Sequence, residues 1–214
     1  MTCSKISAVE FSPSALASPV QNAAAPVVTG ERIRNAAAML ESAGWRQSVA
    51  GKEDFDLGVR TFIESGFSRN SQGVLVMGAS GVGKTAYAKA LQWHFRKGRI
   101  LCLDLANPET LNLIDFQANP DIALEMCRRT IILDDLGAES TQGNFGQPRE
   151  IAAEFIMRYY AERDGKRMFI TTNLTPKELI GRYQQRVMTR IREMAIPITF
   201  TGRNKRGATV QELF

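Results

Sequence analysis

Cysteine and histidine are nearly absent from this chain: Cys3, Cys102, Cys127 and His94 are all that its 214 residues contain. The cysteines are odd in number and lack CxxC spacing, so neither a disulfide framework nor a zinc site is supported. Cys102 reads as a core residue. Long apolar runs are missing too. No stretch approaches the roughly 20 residues of a membrane-spanning helix, and the opening MTCSKISAVEFSPS lacks the basic start and apolar core of a signal peptide. The expectation is a cytoplasmic protein without membrane contact. Charge is not extreme either: 23% of residues are charged, 44% are hydrophobic and the net charge is +5, ordinary values for a globular chain. The length suits one well-buried α/β domain with a short appendage.

What the chain does have is GVLVMGASGVGKT at 73–85, an apolar run that breaks into glycines and ends in Lys84 and Thr85. Gly78, Gly83, Lys84 and Thr85 fit the phosphate-loop spacing without mismatch. Val74 to Met77 read as a strand buried on both faces, and the residues after Lys84 read as a helix. The loop Gly78, Ala79, Ser80, Gly81, Val82, Gly83 thus lies where backbone N–H groups can wrap the α and β phosphates of ATP at a helix N-terminus. Lys84 would reach the β and γ phosphates, and the Thr85 hydroxyl would ligate Mg²⁺.

The remaining chain divides into a flexible arm over 1–28, an N-terminal helical segment over 29–49 and a larger domain over 50–214. Pro13, Pro19 and Pro26 punctuate the arm, which is rich in Ala, Ser, Pro and Val. Thr29 can cap a helix starting at Glu31 with Ile33, Ala36, Ala37 and Leu40 on one face, a stripe that suits either the chain's own core or a partner's groove. A second stripe follows at Phe55, Val59, Phe62 and Ile63. Beyond the phosphate loop, strands are expected at 100–104, 130–134, 168–173 and 196–200. Helices are expected between them, including short ones within 107–128, one starting near Pro148 and one over 175–193. Apolar strands alternating with helices argue for a mostly parallel five-stranded sheet covered on both faces, with functional residues at the carboxyl edges of its strands.

Asp134 and Asp135 end the run TIIL. A carboxylate at Asp134 would hold the Mg²⁺ shell together with Thr85, and one at Asp135 would accept a proton from, or orient, the water attacking the γ-phosphate. Asn173 ends a later strand, where it can hydrogen-bond that water or the γ-phosphate. Adjacent aspartates with a late Asn suit attack by water better than transfer to the acceptor of a phosphate-loop kinase. A guanine-specific switch is disfavoured because the Asn-Lys-x-Asp pattern fails at Asn204, Lys205, Arg206 and Gly207. From Gly181 to Arg206 seven basic residues (Arg182, Arg186, Arg190, Arg192, Arg203, Lys205, Arg206) stand against the single acid Glu193, a distribution suited to nucleic acid, nucleotide phosphates or an acidic partner.

LDDLGAE at 133–139, FITTNLTPKEL at 169–179, RVMTRI at 186–191 and GRNKR at 202–206 resemble successive blocks of the DnaC-type helicase loaders and the related IstB-type transposition ATPases, both AAA+ proteins. The resemblance runs over about residues 50–206. It implies a P-loop AAA+ core without the C-terminal helical lid and an ATPase that self-associates through its ATP site. The implied partners are a hexameric replicative DNA helicase and single-stranded DNA, or a transposase in the IstB-type alternative. It also implies roles for residues: Asn173 as the sensor, Arg190 as the arginine finger entering a neighbouring subunit's site with Arg186 as its rival, and Arg206 as a second sensor. The chain departs from the family in carrying Asn204, Lys205 and Arg206 where a Ser-Tyr-Arg stretch is usual. Asp135 in place of a glutamate shortens the base's reach, so slow hydrolysis is expected.

Overall fold

A run such as Val74–Met77 has no polar face to offer water, so it forms a strand only where both faces are covered. The computed structural model describes residues 29–66, 72–96, 101–139, 150–202 and 204. Within it this run is β1 (Gly73–Gly78), joined by β2 (Cys102–Asp104), β3 (Ile131–Asp134), β4 (Met168–Thr172) and β5 (Ala195–Phe200). All pairings are parallel and the order is β2-β3-β4-β1-β5, with Leu75 in register between Ile170 and Pro197. The sheet is α/β as the alternation of strands and helices implies.

Alternate residues of each inner strand enter different cores. Leu75, Met77, Ile131, Leu133 and Ile170 pack with Leu111, Phe155, Tyr159, Leu179 and Ile191, whereas Val74, Val76, Ile132 and Phe169 pack with Leu40, Trp45, Val59, Tyr87 and Leu91. The first set comes from α5 (Pro108–Ile114), α6 (Pro120–Cys127), α7 (Ile151–Glu162) and α8 (Pro176–Met194). The second core is covered by α1 (Gly30–Ser42), α2 (Gln47–Ala50), α3 (Lys52–Gly66) and α4 (Lys84–Arg96), with Trp45 between α1 and α2. Local chemistry sets several of these boundaries. Thr29 accepts from the Arg32 amide, Asn107 accepts from the Glu109 amide, and Thr175 forms a reciprocal capping box with Glu178. Pro108 and Pro120 occupy first turns, where their missing N–H is harmless.

The stripe on α1 faces the chain's own core: Ala36 and Leu40 are buried against α3 and α4, and Ala37 packs on the same cluster. Ile33 and Met39 are what α1 leaves exposed to a partner. Trp45 is fully buried, stacked on Phe55 and Phe200 and tilted against Tyr87. A Cβ at Gly58 would lie 2.2 Å from its ring, so α3 carries glycine where the indole must approach. Cys102, half-buried against the core, and Cys127, buried in it, are free thiols whose pKa burial pushes up to about 11 and about 12.

α8 differs from the continuous helix expected over 175–193. Gln184 sits at φ 65°, ψ 160°, which breaks α8 into two helical pieces. Neither Gly nor Pro marks the break, and a non-glycine residue in that region costs on the order of 1–3 kcal/mol. The expected helix start at Pro148 lies outside the described residues, and α7 is described from Ile151. Among the described residues no helix is long and apolar enough to cross a membrane.

Candidate functional site

The carboxyl ends of β1, β3 and β4 lie side by side because β4 separates β1 from β3 in the sheet. Each strand delivers one part of the site. β1 opens into the loop whose Gly78, Gly81 and Gly83 have φ of 145°, 81° and 93°, conformations that L side chains avoid and that let successive amides turn inward. Close approach adds to this requirement: a Cβ at Gly78 would stand 2.4 Å from the Phe200 carbonyl oxygen, and one at Gly81 would stand 1.9 Å from Asn204 Oδ1. The loop delivers the chain to α4, which carries no acidic residue in its first turn. α1, α3, α5, α6, α7 and α8 each place an acid there. The positive end of the α4 dipole thus meets no carboxylate from its own first turn.

Lys84 begins α4 and is 5% exposed. Its ammonium donates to the Ala79 carbonyl at 2.8 Å and to Asn173 Oδ1 at 2.7 Å, spanning the loop from the strand beside it. Thr85 donates its hydroxyl to Asp134 Oδ1 at 2.8 Å, and Thr171 donates to the same oxygen at 2.6 Å. Thr171 Oγ1 in turn accepts from the Asp135 amide at 2.9 Å. A single hydroxyl near the carboxyl end of β4 thus contacts both aspartates. Asp135 itself leaves β3 at φ 56°, half-buried beside Asp134.

The sequence reading placed Lys84, Thr85, Asp134, Asp135 and Asn173 in one site, and the structure brings all five together. It also shows residues that the reading missed. Thr171 looked like an ordinary β-branched strand residue. Asp54, nearly buried on α3, accepts from the amides of Thr201 and Gly202 at 2.9 and 2.8 Å and so fixes the chain leaving β5. Beside that anchor lies a cavity of about 260 Å³ lined by Ala50, Gly51, Lys52, Glu53, Asp54 and Gly202, and two residues further on Asn204 rests on Gly81. No spacing in the sequence connects residue 54 with residue 202.

The basic stretch after Gly181 is divided in use. Arg182 is turned inward, donating to the carbonyls of Gly137 and Glu139. Arg190 pairs with Glu193 at 2.9 Å and lies 4.5 Å over the Tyr160 ring, and its pKa is raised first by that hydrogen bond. Arg186 and Arg192 are exposed. Arg203, Lys205 and Arg206 lie outside the described residues.

For a divalent cation, Thr85 and Asp134 offer a hydroxyl and a carboxylate already in hydrogen-bond contact, a hard oxygen pair. Among the described residues no group of three or more His, Cys, Asp or Glu could hold a metal ion by itself. That combination fits Mg²⁺, which keeps its waters and takes one or two protein oxygens beside substrate phosphates.

No family model matches the chain, and no curated protein matches it. Solved structures do. The DnaC helicase loader is similar over 68% of this chain and 87% of its own, at 22% identity and a TM-score of 0.50. AMPPCP-bound DnaA from Aquifex aeolicus is similar over 73% of this chain and 50% of its own, at 15% identity and a TM-score of 0.50. DnaI is similar over 68% of this chain and 84% of its own, at 22% identity and a TM-score of 0.49. At these identities the likeness is one of fold: an α/β architecture with a parallel five-stranded sheet.

Proposed function

We propose that the chain binds ATP with Mg²⁺, hydrolyses it, and uses the cycle to load a replicative DNA helicase onto single-stranded DNA. The observation that carries the chemical half is the shared oxygen of Asp134, which receives both the Thr85 and the Thr171 hydroxyls beside Lys84. The glycine amides would hold the α and β phosphates. Lys84 would exchange its two present acceptors for β and γ oxygens, which releases Asn173 to contact the γ-phosphate. Thr85 and Asp134 would hold Mg²⁺, which when bound would supply charge neutralisation during phosphoryl transfer. Asp135, one residue beyond Asp134, would orient the attacking water and take its proton. The cavity beside Asp54 would receive the nucleoside end, since it borders the segment that runs from β5 to Asn204 on the phosphate loop.

Assembly and partner rest on the sequence blocks that resemble DnaC-type loaders and on the shared fold. The finger, Arg190 or Arg186, would complete a neighbour's site. Arg190 must first leave Glu193 and Tyr160, a surface pair easily exchanged for a phosphate, whereas Arg186, one turn earlier, is already exposed. Arg190→Ala is expected to bind ATP normally, to lose hydrolysis by about a thousandfold, and to regain part of it when mixed with Lys84→Ala, which contributes an intact finger. If Arg186→Ala behaves this way and Arg190→Ala does not, the finger is Arg186.

Affinity purification from the native host with ATP present tests the partner. Retention of a hexameric helicase, with tighter binding to single strands than to duplex and affinity falling steeply with salt, is the expected result. Retention of a transposase with preference for duplex would make the chain an IstB-type transposition helper instead.

A further inference from the structure

The turn that carries Asp135 cannot hold its shape by local preference. Asp135 at φ 56° and Gly137 at φ 103° both stand in left-handed backbone within three residues, a conformation that aspartate adopts more readily than most side chains but not by preference. The turn closes weakly on itself, through the Ala138 amide bonded to the Asp135 carbonyl at 2.9 Å. Its inner side is tied to β4 by Thr171 and by the Thr172 hydroxyl, which donates to the Leu136 carbonyl at 2.5 Å.

Its outer side is held by a different element. The Arg182 guanidinium, from the first half of α8, places Nη1 2.5 Å from the Gly137 carbonyl and Nη2 2.5 Å from that of Glu139. The Glu139 side chain is 1% exposed, and its carboxylate receives the Gly137 amide at 2.8 Å, the Tyr183 hydroxyl, and the charge of Arg182 at 3.5 Å. Arg182 Nε faces Glu150, at the start of α7, also at 3.5 Å. A buried pair of this kind contributes little net stability compared with apolar packing of the same volume, because desolvation opposes the attraction. Its effect is on geometry: a planar fork holds two carbonyls in a fixed mutual orientation, which a rotatable ammonium does less rigidly.

We propose that Arg182, Glu139 and Tyr183 form a positioning clamp that sets the Asp135 turn for water attack and couples it to α8, the helix carrying Arg186 and Arg190. None of the three touches substrate; they act through Asp135. Gln184, at φ 65°, follows Tyr183 directly, so the clamped half of α8 ends where the half bearing the two arginines departs. Gly137 makes the unit tighter, since a Cβ there would lie 2.5 Å from Leu174, the residue after Asn173. Aspartate turn, sensor asparagine and α8 are thereby one mechanical piece.

The inference rests on the reading of Asp135 as the water-orienting group, and two readouts keep the failures apart. In Arg182→Lys, nucleotide affinity is expected to stay within about twofold while turnover at saturating ATP falls by about ten- to a hundredfold, as for a misplaced catalytic group. Tyr183→Phe should show the same split, more weakly. In the nucleotide-free Arg182→Lys protein, amide hydrogen exchange across residues 133–139 should quicken by about tenfold while that across 73–85 is unchanged. A lower melting temperature with normal turnover well below it would overturn the proposal, leaving only a structural role. If the unaltered protein binds ATP but never hydrolyses it, the reading of Asp135 fails. The clamp is then decided by exchange alone, and unchanged protection at 133–139 in Arg182→Lys overturns it.

Discussion

Replacing Asp135 with Asn is expected to leave ATP binding within about twofold of the original while hydrolysis falls by about a hundredfold or more. The substitution keeps size and removes the proton acceptor. The backbone of the turn is held through the Asp135 amide on Thr171, the Leu136 amide on the Thr171 carbonyl and the Arg182 fork, none of which uses the carboxylate. Those backbone bonds are available to Asp135→Asn as well, and asparagine tolerates left-handed backbone as well as aspartate does. Equilibrium titration with a fluorescent ATP analogue, alongside phosphate release at saturating ATP, separates the two effects. Equal turnover in Asp135→Asn and the unaltered protein would remove this residue from the mechanism.

The largest effect on binding should come from Lys84→Ala. The ammonium is nearly buried, and its contacts, Ala79 O and Asn173 Oδ1, are polar groups that phosphate oxygens can replace. Removing it takes away the cation that would reach the β and γ phosphates from the start of α4. Charge-assisted bonds of this type are worth about 1.5–3 kcal/mol each, so two of them correspond to a loss of at least a hundredfold in affinity. ATP titration by calorimetry should show no binding at concentrations that saturate the unaltered protein. A circular dichroism spectrum matching that protein would confirm that the fold persists. Retained micromolar binding would mean that phosphates are held elsewhere.

Much of this site was legible because its parts are local in sequence. Phosphate loop, paired aspartates and terminal asparagine each follow an apolar strand, and in a parallel sheet all strand ends of one sense lie on one edge. What sequence did not disclose depends on distant pairing. Arg182 and Glu139 look like a surface cation and a turn residue until the fold sets them 3.5 Å apart. Asp54 reads as an acidic residue in the first turn of a helix, which it is, yet its carboxylate holds the chain after β5. The break at Gln184, where neither Gly nor Pro stands, has no signal in the residue itself. Periodicity on α1 correctly marked an apolar face but could not say what covers it, and the answer is largely the chain's own core.

The edges of the sheet carry a consequence for handling the protein at high concentration. β2, at one side, has three residues, and β5, at the other, contains Pro197, which has no amide hydrogen to donate. A second molecule looking for a complementary ladder finds too few groups on the first and an interrupted donor row on the second. Strand-to-strand growth into fibrils is blunted at both margins, even though the centre of the sheet is among the most apolar parts of the chain. Ordered contact between copies is thereby directed to helices and loops, surfaces that can separate again.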